Sequence, residues 1–153
     1  MIYFFYLNIG EFMPDTATKE RRRHERFSIY CPLEYKSEDT FPKESSITLN
    51  VSESGALIAT KRELPVDSNL ILKFTLQDEL FFIIGKVRHV RQAESEDSYE
   101  VGVEFWDKPR TFVSRFMEEL SGIMQYRAKY KEEQGDDITL AEASIGWYKE
   151  ASL

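Results

Sequence analysis

From Phe27 to Tyr35 apolar side chains fall on every second position, Phe27, Ile29, Cys31, Leu33 and Tyr35, between mostly polar neighbours. A two-residue period lines one face of a strand, so this segment predicts a half-buried strand. Pro32 inside it has no N–H to give to a neighbour and predicts an edge position or a bulge. SEDTFPK follows as a loop, SITLNV reads as a second strand running into the turn formers SESG, and GALIATK resumes from Gly55 as a third. After a break at LPVDSN, the runs LILKFTL and LFFIIGKVRHV predict a hairpin that turns at Gln77, Asp78 and Glu79. Beyond the charged loop AESEDS, YEVGVEF places Val101, Val103 and Phe105 on one face, with Gly102 between them where a bulky side chain is disfavoured. Six short strands with polar turns predict a mainly β barrel or sandwich rather than a βαβ fold.

After Pro109 the period changes. Phe112, Phe116, Leu120 and Ile123 recur every three or four residues, with Val113, Met117 and Met124 beside them, which predicts an amphipathic helix from Thr111 to Lys131. Its apolar stripe permits closure over a barrel end or pairing with another copy of the chain as a homodimer. Gly135 interrupts the helix, and Thr139 with Glu142 has capping-box spacing ahead of a second short helix carrying Trp147 and Tyr148. The chain therefore divides into an N-terminal extension (1–18), a barrel with its arginine leader (19–107) and a C-terminal helical segment (108–153). The opening MIYFFYLNIGEF is apolar but lacks the basic start and small-residue cleavage site of a secretory signal. Met13 opens a more ordinary polar start, so residues 1–12 read as a dispensable extension.

Composition narrows the classes. With 42% hydrophobic and 31% charged residues and no apolar run near membrane-spanning length, the expectation is a water-soluble globular chain. A net charge of -7 argues against broad coating of nucleic acid or anionic lipid. One cysteine, Cys31, cannot make an intramolecular disulfide and fits a reducing cytoplasm; it reads as a small buried residue. Two histidines and scattered carboxylates supply no zinc-finger cluster, metal loop or paired nucleophile, so neither an enzyme nor a cofactor is expected.

Against that acidic balance, RRRHERF sets Arg21, Arg22, Arg23 and Arg26 in six positions. A guanidinium is always charged and presents a planar fork of donors, which suits phosphate or the edge of guanine. Alone, the run reads first as a solvated stretch ahead of the first strand. NVSESG, from Asn50 to Gly55, offers amide and hydroxyl groups, and a glycine suited to positive φ or close backbone approach. Alone, it reads first as an ordinary turn.

Together the two segments resemble the PilZ domain family, whose pattern is RxxxR followed by (D/N)xSxxG. Arg22 and Arg26 match the first motif, and Asn50, Ser52 and Gly55 the second; GKVRHV and YEVGVEF resemble the family's later strands, so the resemblance spans Lys19 to Asp107. It implies a six-stranded antiparallel PilZ-type β-barrel with a C-terminal α-helical extension, in a bacterial receptor that binds the second messenger cyclic di-GMP. In that reading Arg22 and Arg26 clamp the ligand, Asn50 and Ser52 hydrogen-bond guanine or phosphate, and Gly55 shapes the turn. Arg21, just ahead of the first motif, implies a stacked pair of ligands per chain. His89 stands near a place where the family carries a ring beside the ligand. The expected output is a conformational change read by a downstream protein, and the alternative is a PilZ-fold adaptor that works through protein contacts without nucleotide.

Overall fold

The computed structural model describes residues 25–37, 43–95 and 97–151. Six strands, β1 (Pro32–Ser37), β2 (Glu44–Val51), β3 (Gly55–Thr60), β4 (Asn69–Leu76), β5 (Glu79–Gln92) and β6 (Tyr99–Asp107), precede helices α1 (Phe112–Gln134) and α2 (Leu140–Ala151). The strands close into a barrel in the order β1-β2-β3-β6-β5-β4, with every neighbouring pair antiparallel. The expected six-stranded barrel with a helical extension is the observed architecture. No helix among the described residues is long and apolar enough to cross a membrane.

The β4–β5 hairpin shows how local sequence sets the barrel. Leu76 pairs with Glu79, so the loop is only Gln77 and Asp78, with φ values of 50° and 68°. Two left-handed residues in succession give a turn whose twist matches that of the flanking strands. Leu70, Leu72, Phe74 and Leu76 alternate inward along β4, as a two-residue period requires.

The first strand begins later than its apolar pattern suggests. Ile29, Cys31, Leu33 and Tyr35 are all buried, as predicted, but β1 starts only at Pro32. The cause lies in the N–H groups of Tyr30 and Cys31, which side chains rather than a neighbouring strand satisfy. Tyr30 N–H donates to Ser144 Oγ at 2.9 Å, and Cys31 N–H donates to Thr48 Oγ1 at 2.9 Å. Phe27 makes a single antiparallel bridge to Val51, and Pro32 takes the first position of the strand, where its missing donor costs nothing.

α1 covers the barrel interior with Phe112, which is 1% exposed and lies within 6.1 Å, ring centre to ring centre, of Phe74, Phe81, Phe105 and Phe116. Phe116, Leu120 and Ile123 continue the same buried cluster, and Ala143 carries it into α2. The helix ends where Gly135 N–H closes on Lys131 O at 2.8 Å. The predicted capping box opens α2: Thr139 N–H donates to Glu142 Oε1 at 2.8 Å, and Glu142 N–H donates to Thr139 Oγ1 at 3.0 Å. Glu119 of α1 is buried beside Tyr148 of α2, and burial pushes its carboxyl pKa up. Burial also pushes the Cys31 thiol up to about 12, so Cys31 is the inert core residue expected of it.

Candidate functional site

Two bulges build a row of residues across the wall of the barrel. Along β2, Thr48 pairs with Ile58 and Asn50 pairs with Leu57, so Leu49 is the extra residue. Thr48 and Val51 are therefore buried, while Asn50 turns outward. Along β5, Val87 pairs with Val103 and His89 pairs with Gly102, so Arg88 is the extra residue and His89 turns outward. A bulge re-aims side chains in this way. Leu57 of β3 pairs in turn with Gly102 of β6. Asn50, Leu57, Gly102 and His89 consequently form one continuous row across four strands.

Gly102 is required by close packing. A Cβ built there meets the His89 imidazole at 2.3 Å, so the ring lies against the bare backbone. One face of His89 is thereby dried while its edge stays exposed to solvent. That desolvation, with the positive charges of Arg26 and Arg91 nearby, lowers its pKa from 6.5 to about 4. His89 is neutral at pH 7.

Arg26 reaches the row from the preceding segment. Phe27 N–H donates to Val51 O at 2.8 Å and Val51 N–H donates to Phe27 O at 2.9 Å, which fixes the chain alongside β2. The half-buried Arg26 then places its Nη1 on Asn50 Oδ1 at 3.3 Å, a contact between residues 24 positions apart. Burial works against its charge and lowers its pKa. A guanidinium nonetheless stays ionised in a protein, so the site keeps a partly desolvated cation, an arrangement that an anion stabilises.

Ser52 and Gly55 serve the turn between β2 and β3. Ser52 is 1% exposed; its N–H donates to Gly55 O at 2.8 Å, and its hydroxyl accepts Ser54 N–H at 3.2 Å. At Gly55 a Cβ would stand 2.5 Å from Val103 O, so it is close approach to β6, not positive φ, that demands glycine. Of the sequence-predicted residues, Arg26 and Asn50 meet, while Ser52 and Gly55 shape the loop beside them. Arg21 and Arg22 lie outside the described residues. Leu57 and Gly102 complete the row, and only the glycine inside an alternating strand signalled them in the sequence. Among the described residues no group of three or more His, Cys, Asp or Glu side chains is placed to hold a metal ion.

The PilZ domain family model matches residues 20–119. No curated protein matches the sequence. Among solved structures, the fold is similar to the Bacillus subtilis inhibitor of motility MotI/DgrA (TM-score 0.57, 13% identity, 70% of this chain and 53% of that one). It is similar to MrkH of K. pneumonia in its complex with c-di-GMP (0.54, 18%, 72% and 54%). It is also similar to the PilZ domain of Escherichia coli YcgR with c-di-GMP (0.52, 14%, 76% and 98%). The match thus spans about half the length of MotI and MrkH and nearly all of the YcgR domain.

Proposed function

This chain belongs to the PilZ domain family, and on that premise we propose that it is a cytoplasmic bacterial receptor for cyclic di-GMP that performs no chemistry. The observation that carries the reading is the meeting of Arg26 with Asn50. One described residue from each motif, far apart in sequence, converges on a row of the barrel wall that ends in a neutral imidazole. In the proposed complex the Arg26 fork, with Arg22, holds phosphate oxygens or the O6/N7 edge of guanine. Asn50 supplies an amide donor and acceptor to the base, Ser52 and Gly55 hold the turn that presents it, and His89 offers its ring to the second side of the purine. Cyclic di-GMP is also the nucleotide named in the MrkH and YcgR structures. Arg21 adds a further fork and supports a stacked pair of ligands per chain.

Ligand closure of the leader over this row changes the surface presented to a downstream protein, and that change is the signal. The experiment is calorimetric titration of cyclic di-GMP into the folded chain, with GTP as competitor and Arg26→Ala and Asn50→Ala beside it. Selective saturation at two ligands per chain, weakened in both variants, is the expected result. Saturation at one ligand removes the stacked pair. Absence of heat and of thermal stabilisation in the folded chain removes the receptor reading.

A second reading, a PilZ-fold adaptor acting without nucleotide, rests on a different surface. Leu80, Phe82 and Ile84 on β5, Ile71 on β4 and Trp106 on β6 are all between 40% and 57% exposed, and Ile71 pairs directly with Ile84. Clustered exposed apolar side chains of this kind mark protein contacts. It takes the lead if the titration is silent.

A further inference from the structure

The segment bearing Arg26 is fastened to more than the barrel. Two residues beyond the Phe27 bridge to Val51, Ile29 is fully buried, and the next residue, Tyr30, directs its N–H onto the Ser144 hydroxyl of α2 at 2.9 Å. Ser144 is itself fully buried and donates to Ala141 O at 2.6 Å within its own helix. Its one hydroxyl therefore accepts from the leader and donates to the helix. Phe27 contributes a second link, its ring centre lying 6.3 Å from that of Phe116 on α1. The arginine segment is held on one side by β2 and on the other by the two C-terminal helices.

We propose that Ser144 is a positioning residue for the ligand clamp, and that α2 is energetically coupled to the nucleotide site through the Tyr30–Ser144 bond. This rests on the receptor reading given above. Tyr30 lies only four positions beyond Arg26, and the bridge at Phe27 and the buried Ile29 leave that stretch little independent freedom. A shift of Arg26 towards a phosphate therefore moves the Tyr30 N–H with respect to Ser144, and α2 follows or the bond lengthens. Coupling of this kind is reciprocal: whatever ligand does to the docking of α2, the docking of α2 does to ligand affinity. The helix that carries Trp147 and Tyr148 becomes the element that reports occupancy of a row on the far side of the leader.

The test uses the full chain with amide hydrogen exchange and calorimetry. Without ligand, Ser144→Ala removes the acceptor and is expected to speed exchange at Tyr30 and through Arg26–Ile29. The same variant is expected to weaken cyclic di-GMP binding by roughly 5- to 20-fold, the range of a modest coupling energy, and Ser144→Thr, which keeps the oxygen, is expected to restore it. In the unmodified chain, ligand is expected to change exchange across Leu140–Ala151 by more than it changes exchange across Asn69–Leu76. A merely structural serine gives a different pattern: Ser144→Ala lowers the melting temperature while affinity stays as it was, and that outcome overturns the coupling alone. Ligand binding that leaves α2 no more altered than β4 also overturns it. Failure of the unmodified chain to bind cyclic di-GMP overturns the receptor reading, and this inference with it.

Discussion

At the scale of single residues, the Arg26–Asn50 contact is weak by the standards of a charged donor: 3.3 Å against the 2.7–2.9 Å typical of such bonds with carboxylate or phosphate. A phosphate oxygen entering the fork competes on favourable terms. What the site asks of Arg26 is thus the planar fork as much as the charge. Arg26→Lys keeps the charge but loses the fork, and is expected to cost about 1.5–3 kcal/mol of binding, more than tenfold in affinity, read by titration of a variant whose circular dichroism is unchanged. His89 answers a different question. Its folded pKa of about 4 lies below the ordinary 6.5, so its contribution to stability is complete above pH 6.5 and is lost as pH falls towards 4. A dianionic ligand beside it acts in the opposite sense and favours the imidazolium. Affinity is therefore expected to rise as pH is lowered from about 6.5 towards 4, and His89→Gln is expected to flatten that rise. A pH-independent affinity in the unmodified chain would place His89 out of reach of the phosphates.

At the scale of elements, what the sequence made legible and what it did not divide along a physical line. The β4–β5 hairpin, the restriction at Gly102 and the capping box of α2 depend on residues close in sequence, and each is found where its pattern put it. The start of β1 depends on two side chains from elsewhere, Thr48 and Ser144, which take the N–H groups of Cys31 and Tyr30; nothing between Phe27 and Pro32 encodes that. The bulges are less visible still. In SITLNV the apolar residues Ile47, Leu49 and Val51 alternate, yet Ile47 is 38% exposed and Thr48 is buried, its hydroxyl donating to Ile29 O at 2.6 Å. A polar side chain goes inward because a partner 19 residues away satisfies it, and the extra Leu49 then restores Val51 to the core while turning Asn50 out. The site motif could be read as letters, but the row that presents it is a product of register. Gly102→Ala tests the second bulge. A methyl at 2.3 Å from the ring displaces His89 rather than the backbone, because the ring is the movable partner. Its pKa, followed by nuclear magnetic resonance, is expected to return towards 6.5 as the dried face is released.

At the scale of the whole molecule, the barrel and the helices share one apolar cluster that runs from Ile29 through Phe74 and Phe105 to Phe112, Phe116, Ile123 and Ala143. Removing either part would expose the aromatic rings that the other covers, so the two are expected to unfold together. The chain carries its own reporters, because its two tryptophans fall one in each part: Trp106 on the outer wall of β6 and Trp147 on α2. In Trp106→Phe the remaining fluorescence follows α2, and in Trp147→Phe it follows the barrel wall. Within each variant, the urea midpoint from fluorescence is expected to coincide with that from far-ultraviolet circular dichroism, as a single cooperative unit requires. Loss of the Trp147 signal ahead of the barrel's would instead make the helices a detachable layer. If the midpoints coincide, ligand on the outer wall must stabilise α2 as well: at a hundred times its dissociation constant each occupied site adds about 2.7 kcal/mol to the whole unit. Both midpoints then move upward together by that same increment, whichever tryptophan is watched, and a ligand-dependent shift seen by Trp106 but not by Trp147 would show that the shared core does not bind the two parts into one.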